Sequence, residues 1–452
     1  MSQPKILDVG LIANGAKTVV ISAVVETVGQ VRFGDGTEVN LTVTEKDLIP
    51  NSNGNGFVKK VIFSGSKRRG VDRRTVHALR NQYSVASDPL CYIPQLCLEC
   101  PTCWLYGGTG ATGGEQQLHG KKDYNIKSRV LYASACSVEP AEIAIGVHIR
   151  NRVDELNHGT GGDEAGIHSE ELIKGGVHFP ILTVLDRVVD WEIGVFAHAL
   201  LENVNENRYT AASARQGGLK FAENGSERLI VIDVSENGIF PLETLKVPAD
   251  LTDYSQILSQ FANASDLSTI KCNLEKQGFQ CSLTNSKLEV KAGDGQKVLW
   301  NIEKDDDVVT VKGNKHEKLL MTRYVGERAF GYLRKRQEDF RRFLEEWNDV
   351  DWKATVAEIK KRLRLDQQRT AAQGEIPQEI RDIVADGMSP DEFKTKARDA
   401  GFSVTIAQDN SKVTIRKGRN KVCELPIVDG KVSLPETEPL ETEPEAPEQD
   451  GE

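Results

Sequence analysis

Short apolar runs and one amphipathic segment mark the ordered elements of the N-terminal half. Thr18–Thr27 is rich in β-branched residues, Val177–Val189 alternates apolar with polar positions, and Arg228–Val234 is a short, mostly apolar run, so we predict three strands. Trp191–Val204 places its apolar residues on one helical face, and a second helix is predicted over Asp72–Asn81. Strands and helices in this order predict an α+β fold with an antiparallel sheet and helices on one side. That arrangement is of the ferredoxin-like, or RNA-recognition-motif, class.

The C-terminal half contains an internal repeat. Each copy has two short helices, with a Ser/Asp cap before the second and a Gly-Phe pair after it, followed by a hairpin turning at Asn-Ser-Lys. We place the first αα-β module at 241–317 and the second at 371–434, with a helical segment at 318–370 between them. The expected organisation is therefore one large N-terminal domain, 1–240, followed by these smaller modules.

Charge divides the chain into a neutral body and an acidic tail. The net charge is -10, but eight acidic and no basic residues lie in 435–452. Without them, 57 basic residues face 59 acidic ones, and we expect the Pro- and Glu-rich tail to be disordered. No apolar run approaches the roughly 20 residues of a membrane span, and the start lacks a signal-peptide pattern. We expect a cytoplasmic protein without membrane contact.

Four cysteines within thirteen positions predict a metal site. They are Cys91, Cys97, Cys100 and Cys103. Thiolates at this spacing can converge on one zinc ion at about 2.3 Å each, and four of them leave no open position, so the zinc would be structural. His119 or His77 could replace Cys91 as the fourth ligand. An iron–sulfur cluster and unliganded thiols are the alternatives.

A basic run predicts contact with phosphates. Between Lys59 and Arg80 eight basic residues face one acid, Asp72, and Ser64-Gly65-Ser66 and Gly70 flank the Lys67-Arg68-Arg69 cluster. Small residues let a backbone phosphate approach, and arginine forks bind it in a bidentate way. We interpret this run as a basic loop at 59–80 that binds nucleic acid. A solvated basic loop, or one docked on an acidic partner, is the alternative.

Two further segments carry candidate contacts. Asn151–Gly176 is long for a loop without structure of its own, follows Arg150 and contains Arg152, so it could be an arm that wraps a strand or a neighbour, or a disordered surface loop. A second cluster surrounds Gly217-Gly218, and its Tyr209 could stack on a base while cations follow the phosphates. Its residues are Arg208, Tyr209, Arg215 and Lys220, and an ordinary helix-exit turn would also explain them.

An ordered series of motifs resembles one known family. The segments SGSKRRGVDRRTVHALR, CLECPTCWLYG, KSRVLYASA, HIRNRVDELNHGTGG, EELIKGGVHFPILTVLD and NRYTAASARQGG fall in this order. Together they resemble the type I-D CRISPR Cascade backbone subunit of the Cas seven superfamily, across about 59–221. Residues from about 241 onward have no counterpart there and are extra modules.

The resemblance implies a non-enzymatic subunit whose copies line a CRISPR RNA (crRNA) and present its spacer to target DNA. It implies an RNA-recognition-motif palm with a zinc finger at 88–125 and a thumb at 150–176. Other partners would be the type I-D large subunit, a Cas five-like subunit and a Cas six-like processing subunit. The implied RNA-backbone contacts are Lys67, Arg68, Arg69, Arg73, Arg74, Lys127, Arg129, Arg150, Arg152, Arg208 and Arg215.

Two other functions stay open at this point. Relatives in type III complexes cut bound RNA with one acidic residue near the thumb, and Asp154 or Asp163 could do so here. A zinc-ribbon interaction protein without RNA is the third reading.

Overall fold

The computed structural model of the chain divides into two compact units, 1–359 and 360–452. The residues that the structure describes are 7–11, 13, 15–34, 43–79, 91, 96, 100–109, 125–150, 168–210, 217–314, 318–345, 350–362, 378–384, 388–407, 411–417, 420–428 and 430–433.

The described elements alternate short strands with helices. The strands are β1 (Lys17–Val28), β2 (Lys46–Pro50), β3 (Phe57–Phe63), β4 (Gly108–Thr109), β5 (Asn125–Ile126), β6 (Val130–Tyr132), β7 (Ala135–Pro140), β8 (Ile145–Arg150), β9 (His168–Ile173), β10 (His178–Val188), β11 (Gly218–Phe221), β12 (Glu223–Asn224), β13 (Glu227–Arg228), β14 (Ile230–Ser235), β15 (Gln280–Thr284), β16 (Lys287–Lys291), β17 (Val298–Asp305), β18 (Val308–Gly313), β19 (Leu319–Val325), β20 (Ser403–Ile406), β21 (Lys412–Lys417), β22 (Asn420–Val428) and β23 (Lys431–Val432). The helices are α1 (Gly65–Ala78), α2 (Pro101–Tyr106), α3 (Ala141–Ala144), α4 (Asp190–Asn205), α5 (Tyr254–Ala262), α6 (Leu267–Lys276), α7 (Gly326–Glu345), α8 (Trp352–Arg362), α9 (Gln378–Val384) and α10 (Pro390–Asp399).

A ten-stranded sheet organises the first unit. Its order is β15-β16-β17-β18-β19-β14-β1-β10-β6, with β11 paired to one end of β1, and each of these pairs is antiparallel. Within it, β1–α1–β6–β10–α4–β14 has the connectivity and strand order of a ferredoxin-like fold. We call this part the palm. The predicted antiparallel α+β architecture is thus present.

Both faces of the palm sheet are covered. On one face the aliphatic positions of β1, β10 and β14 pack against α4 and α7 in the largest hydrophobic core. Helix α7 comes so close to α4 that a Cβ on Gly194 would lie 2.5 Å from the Arg336 carbonyl oxygen, so only glycine fits there. On the other face, Val24 and Val231 lie beneath Ile257 and Phe261 of α5.

The first αα-β module is not a separate body. Its strands β15–β18 continue through β19 into the palm sheet, so the predicted boundary at residue 241 does not interrupt the architecture. The predicted helical segment, 318–370, begins with strand β19 and then contains α7 and α8. Helix α7 buries Ala329, Leu333 and Phe340, so its single apolar face is the face that packs on the fold.

The second unit has its own core. Helices α9 and α10 pack on the sheet β20-β21-β22-β23, with Phe393, Val413, Ile415 and Leu425 fully buried. None of the helices among the described residues is long and apolar enough to cross a membrane.

The basic segment has more structure than the sequence predicted. Within the expected loop at 59–80, strand β3 includes Lys59–Phe63, which the sequence also favours as a short strand, and helix α1 starts seven residues before the predicted Asp72. Likewise, the finger and thumb are described only in part: 92–95, 97–99, 110–124 and 151–167 lie outside the described residues.

Candidate nucleic-acid interface

Helix α1 has one buried polar face and one cationic face. Residues at helical spacing, Gly65, Arg68, Asp72, Thr75 and Val76, turn inward. Because two of the inward residues are charged, the helix has no apolar stripe by which the sequence could reveal its full length. The remaining faces carry the other basic residues.

Three segments of the palm converge on a groove of about 360 Å³ beside α1. Its walls are the cationic face of α1, residues 32–34 that follow β1, and the turn after α4. The groove is lined by Arg32, Phe33, Gly34, Phe63, Ser66, Lys67, Gly70, Val71, Arg74, Arg208, Tyr209 and Thr210. We refer to this set as the groove.

Packed aromatic rings form the floor of the groove. Phe33 and Phe63 stack with ring centroids 4.3 Å apart, and Tyr209 meets Phe63 edge-on at 5.6 Å. All three side chains are at most 9% exposed, so they support the walls and offer little ring surface to a base. The prediction that Tyr209 stacks on a base conflicts with this burial.

The groove carries positive charge that the described part of the chain does not neutralise. Lys67 is the exception, since its Nζ lies 2.6 Å from Glu45 Oε2 and also donates to the Gly34 carbonyl. Among the described residues, no ion pair involves Arg32, Arg74 or Arg208, and the buried Nε of Arg32 has no hydrogen-bond partner there. Unpaired guanidinium groups lining a cleft with glycine and serine suit phosphate groups.

Two of the predicted contacts are structural residues. Arg68 is 1% exposed, and its guanidinium donates to the Ala133 carbonyl at 3.1 Å and to Thr183 Oγ1 at 2.7 Å. Arg129 is 4% exposed and pairs with Glu192, with Nη1 to Oε2 at 2.9 Å. Neither side chain reaches the surface, because each cation is enclosed by acceptors of its own fold. The sequence prediction that they grip an RNA backbone is corrected accordingly.

The other predicted contacts differ in position. Arg69 and Arg74 are exposed on α1, and Lys127 and Arg208 are exposed elsewhere on the palm. Of these four, Arg74 and Arg208 line the groove. Arg150 is the last residue of β8, and only its backbone is described. Arg152 and Arg215 lie outside the described residues.

A buried polar network lies under α1, around Asp72. The Asp72 carboxylate accepts from the hydroxyls of Tyr132 and Tyr209 and from Asn203 Nδ2, the last at 2.8 Å. Burial raises the pKa of Asp72, although the three hydrogen bonds and the nearby Arg68 act in the opposite direction. Sequence reasoning missed this network, because its members come from three separate segments.

The sheet face that RNA-recognition motifs use for RNA is closed here. In such motifs, aromatic residues on the open sheet stack on bases. In this chain α5 covers that face, and Ser22 of β1 donates its hydroxyl to the Leu245 carbonyl at 2.8 Å. The groove beside α1, in contrast, is open and lined by cationic side chains.

Three of the four predicted cysteines form a cluster. Cys91, Cys100 and Cys103 have sulfur atoms within 4.8 Å of one another, and Cys91 Sγ lies 3.7 Å from Cys100 Sγ and 3.6 Å from Cys103 Sγ. These separations exceed a disulfide bond of about 2.05 Å. They match the edge of about 3.8 Å that four sulfurs make around zinc at about 2.3 Å each. The cluster can therefore hold a metal ion, and Cys97 lies outside the described residues.

Arg73 joins the cysteine cluster to α1. Its Nη1 donates to the Gly107 carbonyl at 2.8 Å and its Nη2 lies 3.4 Å from Cys103 Sγ. The prediction that Arg73 grips RNA conflicts with these contacts, which turn the side chain toward the cysteines. A cation beside a thiolate ligand stabilises its charge.

Arg32 is a groove residue that the sequence analysis did not select. It lies just after β1, in a segment without a basic cluster; its neighbour Val31 pairs with Ile173, and its own backbone N–H donates to Thr210 Oγ1 of the groove at 3.2 Å. A lone arginine after a buried strand gives no local signal of this kind.

Among solved structures, chains of CRISPR proteins are similar to this chain. The crystal structure of Thermofilum pendens Csc2 is similar at 15% identity, covering 62% of this chain and 83% of that chain, with a TM-score of 0.34. A chain of a type IV-B CRISPR complex is similar at 14% identity, covering 52% of this chain and 96% of that chain, with a TM-score of 0.32. A chain of a CRISPR RNA-guided surveillance complex is similar at 13% identity, covering 57% and 84%, with a TM-score of 0.35.

At these TM-scores the structural likeness is too weak to establish a shared fold. No curated protein matches the chain. Residues 34–232, just under half of the chain, match the protein-family model described as Csc2 Crispr, and this match includes the cysteine cluster and most of the groove.

Proposed function

We propose that this chain is a backbone subunit of a type I-D CRISPR effector that binds crRNA through its phosphates, without reading its sequence. The observation that carries the proposal is the groove: three arginines without carboxylate partners among the described residues, set between small residues. The family match over 34–232 supports the CRISPR context.

The chemistry of the groove suits a guide whose letters change from one complex to the next. Arginines that contact phosphates position a strand but carry no sequence information. In RNA-guided systems base pairing reads the sequence, and the protein holds the backbone. The aromatic rings under the groove are buried and expose little surface on which a base could stack, which fits a protein that holds the backbone.

The remaining parts have supporting roles. We assign zinc to Cys91, Cys100 and Cys103, with Cys97 as the fourth ligand, as a structural ion of the finger. Partners would be crRNA, target DNA, further copies of this chain and the other effector subunits. We propose no catalytic step, so matched target incubated with Mg²⁺ and the assembled complex should remain uncut by this subunit.

Binding of heterogeneous 30-nucleotide RNAs tests the proposal. Purified protein should bind all of them, and Arg74→Ala with Arg208→Ala should weaken binding about tenfold or more for every sequence alike. Each lost phosphate contact lowers the salt slope by about 0.7 on a single strand, so the double variant should lower it by about 1.4.

Arginines of α7 that do not line the groove provide the control. Arg328→Ala with Arg342→Ala removes two exposed arginines, 59% and 71% exposed at the side chain, and should leave binding within about twofold. Loss confined to some sequences, or an equal loss in both double variants, would contradict phosphate binding in the groove.

A further inference from the structure

We infer that Asp72 is a positioning residue that fixes the two walls of the groove relative to each other. The inference rests on the proposed function, because it concerns how the RNA groove keeps its shape. Asp72 itself is 0% exposed and is not among the residues that line the groove. It acts through the residues that it binds.

The carboxylate is the point at which three elements meet. Oδ1 accepts from Tyr209 Oη at 2.5 Å and from Asn203 Nδ2 at 2.8 Å, and Oδ2 accepts from Tyr132 Oη. Asn203 belongs to α4, Tyr209 to the turn after it, and Tyr132 to β6. The Asp72 side chain thus connects α1 to strand β6, to helix α4 and to the turn that follows α4.

The ties lie directly behind the groove surface. Two residues of α1, Lys67 and Arg74, present their charges on the groove side while Asp72 points inward from the same helix. On the opposite wall Tyr209 is flanked by the groove residues Arg208 and Thr210. The separation of Arg74 from Arg208 therefore depends on the hydrogen bonds of Asp72.

A second contact strengthens the same joint. Thr75, one turn beyond Asp72, donates its hydroxyl to Asn203 Oδ1 at 2.5 Å. Burying a carboxylate is costly unless its oxygens accept hydrogen bonds. Here the Asn203 side chain of α4 donates to Asp72 and accepts from Thr75, so it is bonded to two residues of α1. Apolar packing would hold the helix equally close, but directional hydrogen bonds fix its rotation and its axial position.

A second buried aspartate of the palm offers a matched control. Asp233 of β14 is 1% exposed and pairs with Arg323, at 2.7 and 2.9 Å, away from the groove-lining residues. Asp72→Ala and Asp233→Ala each remove a buried, fully bonded carboxylate, so both should lower the unfolding temperature. Only Asp72→Ala should change RNA binding by the folded protein.

The expected result is about a tenfold weaker affinity for 30-nucleotide RNA in Asp72→Ala, within the range by which residues without ligand contact alter binding. Asp72→Asn should recover most of it, because the amide oxygen still accepts from Tyr209 and Asn203 while the amide nitrogen donates to Tyr132. If Asp72→Ala does not fold, Tyr209→Phe removes one donor only and should weaken binding about threefold.

Amide hydrogen exchange without RNA tests the positioning independently. Exchange over α1 and the turn at 206–210 should accelerate in Asp72→Ala or Tyr209→Phe and stay unchanged in Asp233→Ala. Unchanged exchange there, or equal loss of RNA affinity in the two alanine variants, would overturn the positioning role. If the wild type bound no RNA, the proposed function would fail, and the exchange data would still decide on Asp72.

Discussion

The two copies of the αα-β module have the same local structure but a different relation to the sheets. In the first copy, α5 and α6 precede β15–β18, and β18 pairs with β19, which in turn pairs with β14 of the palm. In the second copy, α9 and α10 precede β20–β23, and the described residues form a separate four-stranded sheet. The repeat is therefore an extension of the palm in one case and a unit of its own in the other.

This difference shows which features a repeated sequence determines. Asp266 caps α6 by accepting from the backbone of Ser268 and Thr269, and Ser389 caps α10 in a capping box with Glu392. Those local signals recur in both copies. The strand that joins the first copy to the palm, Leu319–Val325, lies outside the repeat, so no feature of the repeat itself indicates it.

Deleting each copy should separate the two cases most clearly. A chain ending before Gln378 should keep the unfolding transition of the first unit, because the core of the second unit is made of its own residues. Replacing Tyr254–Gly313 with a short linker should abolish folding, since Ile257 and Phe261 would no longer cover the palm sheet. Circular dichroism melts of both chains measure this, and a folded palm in the second chain would contradict it.

Core substitutions at equivalent helix positions should distinguish the copies more finely. Ile270→Ala in α6 should cost about 2–5 kcal/mol and lower the transition of the first unit. Phe393→Ala in α10 should cost about 3–5 kcal/mol, confined to the second unit. Calorimetry of the full chain resolves the two transitions, and a Phe393→Ala effect on the first one would show that the copies are coupled.

The smallest expected difference concerns acid. Hydrogen bonds from Thr269 hold the pKa of Asp266 below its ordinary value of 3.8, so this cap stabilises α6 at neutral pH. Its contribution of about 1 kcal/mol is lost as the pH falls through the lowered pKa. Asp266→Ser copies the cap of the second module, which gains no proton in this range.

The stability difference between wild type and Asp266→Ser should therefore shrink between about pH 5 and pH 2. Denaturant melts across that range, monitored at the first unit, measure it. A constant difference would mean that Asp266 acts through packing and not through its charge.

Parts of the fold followed directly from local patterns. Thr18–Thr27, Val177–Val189 and Trp191–Val204 coincide with β1, β10 and α4 within one or two residues, because the apolar residues that mark each segment are buried in the fold. Helix α1 was predicted short, since its inward side chains include Arg68 and Asp72 and its first turns contain glycine and serine. A helix whose buried face is polar cannot be found from the spacing of its apolar residues, because that spacing reports hydrophobicity and not burial.

The candidate site divides in the same way. The cysteine cluster was predictable because its cysteines are neighbours in sequence, and three of them do converge. The groove was only half predictable, because Arg32, Arg74 and Arg208 come from segments far apart in the chain and converge only in the fold. The basic cluster in the sequence also led us to select Arg68, which is 1% exposed although the adjacent Arg69 is exposed.

The join through β19 has a consequence for how the protein is made. On the ribosome, β14 emerges about 90 residues before the strand that will lie beside it, and α7, which packs on α4, emerges later still. The nascent palm must therefore wait, with part of its apolar surface uncovered, until translation has passed Glu345. Chaperone binding to the growing chain should end at that point, and not at the end of the segment that resembles CRISPR subunits.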